Sequence, residues 1–253
     1  MDFSTVTKAV IDAGKIVLDK VNRGNLTKKG ERDFVTDCDI AVQTQLAKIL
    51  YSIYPDIPLM SEEKDNDVMH SDTVFILDPI DGTTNYIHGY DLSCISLACV
   101  YKDEPVYGAV YNPFSKQLYL AEKDKGATLN GKKIRVSDVS DISSALIGAE
   151  TSPYERYDAA KHFDKLLNVF LASMDIRISG SAALDICYVA EGKTDAFLTS
   201  NLKPWDYAAA CCILKEAGGI CTDWKGELPS MKHKSDILAT NSLLQEVLYG
   251  FVR

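Results

Sequence analysis

Apolar residues along the chain follow two different periods. Over Phe3–Val21 and again over Ile40–Tyr54 they recur at three- and four-residue spacing, which predicts two amphipathic helices. Thr73–Leu77 is a short apolar run of the kind that forms a buried strand. Ser93–Tyr101, Val106–Tyr111 and Gln117–Glu122 predict strands, with turns at Asp103–Pro105 and Asn112–Ser115. Asn130-Gly131 is a hairpin signal, since both residue types accept left-handed backbone. Ala145–Ala149 predicts a further strand, and Asp158–Ala172 a helix. The last third alternates more regularly. Strand Ile176–Ile178 leads through Gly180-Ser181 into a helix ending at Ala190. Strand Ala196–Leu198, helix Pro204–Ala217 stopped by Gly218-Gly219, strand Ile220–Thr222 and a closing helix from Ser242 follow. Helices and strands mix around a hairpin-rich middle, which predicts an α/β or α+β protein with layered sheets. With no repeat and no Pro/Gly/Ser-rich linker, residues 1–253 read as one domain. A division into halves 1–145 and 146–253 is compatible with the pattern.

Composition narrows the function classes. Hydrophobic residues make up 46% and charged residues 25%, an ordinary globular balance. The longest apolar stretches, such as Ile95–Tyr101, are too short to cross a bilayer. Asp2 and Asp12 stand where a secretory signal would carry basic and then apolar residues, so a cytoplasmic protein is expected. The seven cysteines include no C-x-x-C pair, and the apolar setting of Cys94, Cys99, Cys211 and Cys212 predicts buried, reduced thiols. Net charge is −9, and no basic run exceeds Lys28-Lys29 or Lys132-Lys133, so no nucleic-acid partner is expected. An acidic protein still takes an anionic substrate when bound cations sit between the two.

The segment Phe75–Tyr86 carries the chemistry. An apolar strand runs into Asp78 and Asp81, with Pro79 stiffening the turn between them. Gly82 permits a sharp turn, and Thr83-Thr84-Asn85 can cap a short helix. Carboxylates at a strand end are hard oxygen ligands suited to magnesium, and donors at a turn and helix start suit a phosphate. A bare D-x-x-D-G is more often a capped turn than a site. The length of the whole string favours the functional alternative. Ser61-Glu62-Glu63 and Pro204-Trp205-Asp206 add carboxylates from distant parts of the chain. Each alone also reads as capping or helix-start chemistry.

Five segments in order resemble the inositol monophosphatase family over essentially the full length. Phe75–His88 matches its first signature, Pro204–Gly219 its second, and Leu59–Glu63 its apolar turn into paired glutamates. Asp33–Asp39 resembles its early D-x-V-T-x-x-D, and Gly180–Ala183 its substrate-side helix start. The resemblance implies a layered α-β-α-β-α sandwich, a homodimer, and two to three magnesium ions per subunit. It implies that Glu62, Asp78 and the Ile80 carbonyl hold one metal, and Asp78, Asp81 and Asp206 a second. Glu62 helps with a weaker third. Gly82 and Thr83 serve the phosphate, while Gly180, Ser181, Ala182, Asp81 and Asp206 face the substrate. Lys28 resembles the lysine of a loop near the metals. Inositol-specific members carry an acidic residue seven positions before the Trp-Asp aspartate, where this chain has Thr199.

The expected reaction is hydrolysis of a small phosphate monoester by direct attack of a metal-activated water, without a phosphoenzyme. Thr83 orients or deprotonates the water and passes its proton to Asp39, with Glu62 as the alternative base. Inositol 1-phosphate leads the candidate substrates, ahead of NADP(H), fructose 1,6-bisphosphate and other polyol or sugar phosphates. Relatives with the same loop are commonly inhibited by lithium. An alternative of another class is a catalytically weak regulatory or binding protein that keeps the fold. No G-x-S-x-G elbow or catalytic cysteine context is present, and His88 reads as peripheral.

Overall fold

The computed structural model describes residues 1–19, 26–28, 34–63, 71–151 and 157–253. In chain order, α1 (Ser4–Asp19) precedes the antiparallel pair β1 (Leu26–Lys28) and β2 (Phe34–Thr36), then α2 (Asp37–Ile53). Next come β3 (Leu59–Ser61), β4 (Thr73–Asp81) and the short α3 (Thr83–His88). A meander follows: β5 (Cys94–Tyr101), β6 (Glu104–Asn112), β7 (Gln117–Glu122), β8 (Gly126–Leu129) and β9 (Lys132–Lys133). After a 3₁₀ turn at Ile142–Ser144 the chain forms β10 (Leu146–Ala149), α4 (Ala159–Ala172), β11 (Asp175–Arg177) and α5 (Ala182–Glu191). It ends with β12 (Ala196–Leu202), α6 (Pro204–Glu216), β13 (Ile220–Thr222), β14 (Ser235–Thr240) and α7 (Gln245–Val252).

Strands β3 to β9 lie in sequence order in a seven-stranded sheet. The five-stranded sheet has the order β11-β10-β12-β14-β13. Alternation along the strands sorts the core into layers. On β4, Phe75 and Leu77 pack with α1 and α2, whereas Val74 and Ile76 pack with α5 and α6 on the other face. On β12, Phe197 joins that same inner layer, while Ala196 and Leu198 face Leu166 and Val169 of α4 and Leu248 of α7. The result is a mixed α/β sandwich in which helices, sheet, helices, sheet and helices succeed one another. Helix α6 lies directly on the large sheet. A Cβ at Gly108 on β6 would stand 2.2 Å from the Ala209 carbonyl oxygen, so only glycine permits this approach. Among the described residues no helix is long and apolar enough to cross a membrane. All seven cysteines are free thiols.

Several element boundaries differ from the sequence expectation for identifiable reasons. Helix α2 begins at Asp37 rather than Ile40, because Thr36 and Asp39 form a capping box. The Thr36 Oγ accepts from the Cys38 and Asp39 amides, and the Thr36 amide donates to Asp39 Oδ2 at 2.8 Å. The closing helix begins at Gln245 rather than Ser242, because Asn241 Oδ1 takes the Leu243 and Leu244 amides at 3.1 and 3.2 Å. Helix α1 ends at Asp19, and the expected extension to Val21 lies outside the described residues. Asn130 and Gly131, with φ of 49° and 77°, form the β8–β9 turn.

Candidate active site

Strand β4 extends past Leu77 to Asp81, so both aspartates of the signature lie on the strand itself. In a regular strand, residues three apart face opposite sides. Here the β4–β5 register shifts between Asp78 and Asp81. Pro79, which has no amide proton to contribute to a ladder, sits inside that irregularity. The bend brings both side chains to one cavity of about 260 Å³. The Ile80 amide donates to Asp78 Oδ1 at 3.0 Å. Glu62 follows β3, whose parallel pairing with β4 brings it alongside Asp78, and its amide donates to the Leu77 carbonyl at 3.3 Å.

Gly82 is the N-cap of α3, with φ of 83°. A Cβ there would lie 2.9 Å from the Leu92 carbonyl oxygen and 3.1 Å from that of Gly180. The expected capping by Thr83-Thr84-Asn85 is not found. These residues lie inside α3, and no side chain caps it. Thr83 Oγ1 instead donates to the Ile80 carbonyl at 3.0 Å. Asn85 Nδ2 donates to the carbonyls of Leu92 and Ser179, both at 2.8 Å, which ties the signature loop to the segment before α5.

From the other sheet, Ser181 Oγ and the Ala183 amide donate to Asp81 Oδ2, the latter at 3.0 Å. Ser181 is therefore turned onto Asp81, while Gly180 and Ala182 line the cavity. Asp206 occupies the first turn of α6, where the Lys203 amide donates to its Oδ2 at 2.8 Å. Glu62, Asp78, Ile80, Asp81, Gly82, Thr83 and Asp206 all border the one cavity. Besides Ser181, which is turned onto Asp81, two expected residues do not. Asp39 is wholly buried beside Thr36, which donates its hydroxyl to Asp39 Oδ2, so the Thr83 and Asp39 side chains engage other partners. Thr199 is wholly buried in the regular part of β12, paired with Ile237; the strand's irregularity begins after it, and Leu202 reaches the cavity instead. Lys28 belongs to β1, and its side chain lies outside the described residues.

The site is strongly anionic. Burial, followed by the charges of Glu62, Asp81, Asp206 and Asp39, pushes the Asp78 carboxyl well above the usual range. Burial and then Asp81 do the same to Asp206. Burial raises Asp81 to about 6 against the opposing hydrogen bonds from Ser181 and Ala183. Among the described residues no lysine or arginine forms an ion pair with Asp78, Asp81 or Asp206. Nor do any three acidic, imidazole or thiol side chains already stand at the close spacing of a formed metal shell. Among the described residues the wall of the cavity carries five acidic side chains and no lysine or arginine. The sequence reading passed over two acidic residues. Glu150, at the C-terminal end of β10, lines the same cavity. Asp185, on α5, is buried and held by Ser179, with its carboxyl raised to about 8 mainly by burial. A carboxylate closing an apolar strand run is the signal that points to Glu150, since ligands in α/β sheets collect at strand ends.

A chain with this site and layering has many relatives. A fructose-1,6-bisphosphatase/inositol-1-monophosphatase of Aquifex aeolicus is 35% identical over 229 residues, covering 90% of this chain and 85% of that one. The Nus factor SuhB of Xylella fastidiosa is 34% identical over 233 residues, covering 90% and 84%. The crystal structure of the extragenic suppressor protein suhB from Bartonella henselae superposes with a TM-score of 0.92 at 30% identity, covering 98% of this chain and 96% of that one. The sequence model of the inositol monophosphatase family matches residues 2–252, and the chain belongs to that family.

Proposed function

We propose that the protein is a magnesium-dependent phosphatase of small phosphate monoesters, with inositol 1-phosphate as the leading substrate. The observation that carries this reading is the convergence of Glu62, Asp78, Asp81 and Asp206 on one cavity beside Gly82 and Thr83. The donors fit magnesium. They are all oxygens, and among the described residues no histidine or cysteine lines the cavity to favour zinc. Asp78, Glu62 and the Ile80 carbonyl would hold one ion, Asp78, Asp81 and Asp206 a second, and Glu62 would contribute to a third. Magnesium supplies neutralisation of the phosphoryl oxygens, acidification of water and stabilisation of the leaving oxygen.

The chain's own groups do the positioning. The Gly82 turn, which a Cβ would obstruct, lets the backbone come close to the phosphate. Thr83 Oγ1 stands at the cavity wall, where it holds the attacking water. Glu62, half-buried on the same wall, is the better-placed proton acceptor. Asp39, engaged by Thr36 and off the wall, acts from behind through its charge on Asp78. Gly180 and Ala182 leave room for the alcohol part of the ester.

Phosphate release from inositol 1-phosphate, fructose 1,6-bisphosphate and NADP(H), with magnesium and then with a chelator, tests the reading. Chelator-sensitive release from at least one is expected, and full activity after exhaustive chelation overturns it. The name of the Aquifex relative, fructose-1,6-bisphosphatase/inositol-1-monophosphatase, supports the first two substrates. A second reading, a regulatory protein of weak turnover, draws on the Xylella relative's name, Nus factor. The intact carboxylate set favours turnover, and the same assay separates the two. Exposed Phe163, Leu167, Phe170 and Leu171 along α4 support a homodimer, which light scattering at micromolar concentration checks. The free thiols favour a cytoplasmic setting.

A further inference from the structure

We propose that Glu150 is a specificity-determining residue whose carboxyl hydrogen-bonds a hydroxyl on the alcohol part of the phosphate ester. Glu150 directly follows β10 and lines the cavity together with Thr151, Ile178 and Leu202. Its main chain is anchored from α4, where His162 Nε2 meets the Glu150 carbonyl oxygen at 2.5 Å. The carboxyl is thus presented from a fixed point on the wall.

What sets Glu150 apart from the other acids is that no hydrogen bond to its carboxyl is made among the described residues. Asp81 accepts from Ser181 and Ala183, Asp206 from Lys203, and Asp78 from Ile80. Among the described residues nothing donates to the Glu150 carboxyl, and no cation pairs with it. Its charged neighbours are Asp81, Asp185 and Asp206, all of its own sign. Glu150 is half-buried on the wall, with no donor among the described residues, so a ligand entering the cavity can supply the hydrogen bonds of its carboxyl. Two observations favour a hydroxyl over another metal ion. Glu150 stands on the stretch of wall formed with Thr151, Ile178 and Leu202, away from the β4 and α6 carboxylates that the magnesium reading uses. Its immediate neighbours on the wall include the apolar side chains of Ile178 and Leu202, which suit the carbon skeleton of a polyol or sugar. An alcohol hydroxyl both donates and accepts, so it matches a carboxyl in either protonation state.

The inference rests on the phosphatase reading, and the experiment separates the two. Specificity constants are measured at saturating magnesium for inositol 1-phosphate, fructose 1,6-bisphosphate and 4-nitrophenyl phosphate, whose leaving group carries no additional hydroxyl. Wild type, Glu150→Ala and Glu150→Gln are compared, with circular dichroism and melting as folding controls. For the preferred polyol or sugar ester, Glu150→Ala lowers kcat/KM roughly ten- to a hundredfold, the loss of a charge-assisted hydrogen bond. The loss falls mainly on KM. Glu150→Gln, which keeps one acceptor, loses less. Both variants leave the aryl ester and the half-saturating magnesium concentration unchanged. Equal loss on all esters, a raised magnesium requirement, or no loss on the polyol and sugar esters overturns the assignment. A wild type that cleaves none of the three overturns the phosphatase reading, and the assignment with it.

Discussion

Replacing Asp81 by asparagine should stabilise the metal-free protein while abolishing turnover. Asp81 is 7% exposed and carries its carboxyl at about 6, against 3.8 for a free aspartate. That gap corresponds to roughly 3 kcal/mol of folding free energy at a pH above both values. The folded value is the higher one. The contribution of Asp81 to stability is therefore complete below 3.8 and is lost as pH rises through about 6. Above that window the wild-type chain folds against a buried, repelled charge, and the variant does not. The value of about 6 already includes the bonds from Ser181 and Ala183, so the opposing effect that remains is the difference between a carboxyl and an amide as cap of α5, about 1 kcal/mol. Electrostatics outweighs capping, and a net gain of about 2 kcal/mol raises the melting temperature by roughly 4–8 °C in a chain of this size. The assay is thermal melting in chelator at about pH 8 and about pH 4.5, beside phosphate release in magnesium. The gain should shrink sharply at the lower pH. A variant that melts at or below wild type at the higher pH, or shows the same difference at both, would mean that Asp81 serves mainly as the cap of α5.

Asp206→Asn should cut turnover by at least about a hundredfold with circular dichroism unchanged, because it removes a ligand and leaves the α6 start intact; loss of fold would assign it to capping. Asp185, raised to about 8 by burial, contributes stability that is full below 3.8 and lost as pH rises through about 8. Asp185→Asn should accordingly melt several degrees above wild type near pH 9 and level with it near pH 4, as differential scanning calorimetry reads. Gly108→Ala should destabilise by roughly 1–3 kcal/mol or more, since its Cβ meets the Ala209 carbonyl oxygen at 2.2 Å; urea unfolding checks it, and a neutral result would show that α6 can lift from the sheet. Lithium should inhibit in an uncompetitive or mixed pattern against substrate, with sodium chloride as the ionic-strength control, and purely competitive inhibition would contradict binding after bond cleavage.

Long periodic segments are legible in the sequence because their burial pattern is local. The α1, α2, α4 and α6 spans repeat apolar residues on one face, and the β5–β7 meander alternates between turn residues. Strand β14 is not legible in this way. Only Ile237, Leu238 and Ala239 are apolar in it, and Lys232-His233-Lys234 just before makes the segment look like a surface loop. Its strand state comes from pairing β12 on one side and β13 on the other, which is tertiary information. The three-residue β3 is lost for the same reason, being fixed by its parallel partner β4.

The site divides along the same line. Asp78 and Asp81 announce themselves because strand, proline, glycine and both acids are contiguous. Glu62 and Asp206 each have a sufficient local explanation as capping or helix-start residues, so their part in the site is read only from the set taken together, and the cavity is where they meet the pair. Thr199 shows how a spacing in sequence leaves the wall of the cavity undetermined. The position seven residues before Asp206 is buried in β12, paired with Ile237 and ahead of the register shift that lies between Thr199 and Leu202. The β12 side chain that reaches the wall is Leu202, an apolar one. Acidic character on the wall comes from Glu150 instead, a residue more than 50 positions upstream of Asp206. In one dimension Glu150 is a lone glutamate closing a strand, most simply a solvated end. Only the folded arrangement, which puts it against Asp81 and Asp206 with no donor of its own, turns it into a group that selects the substrate.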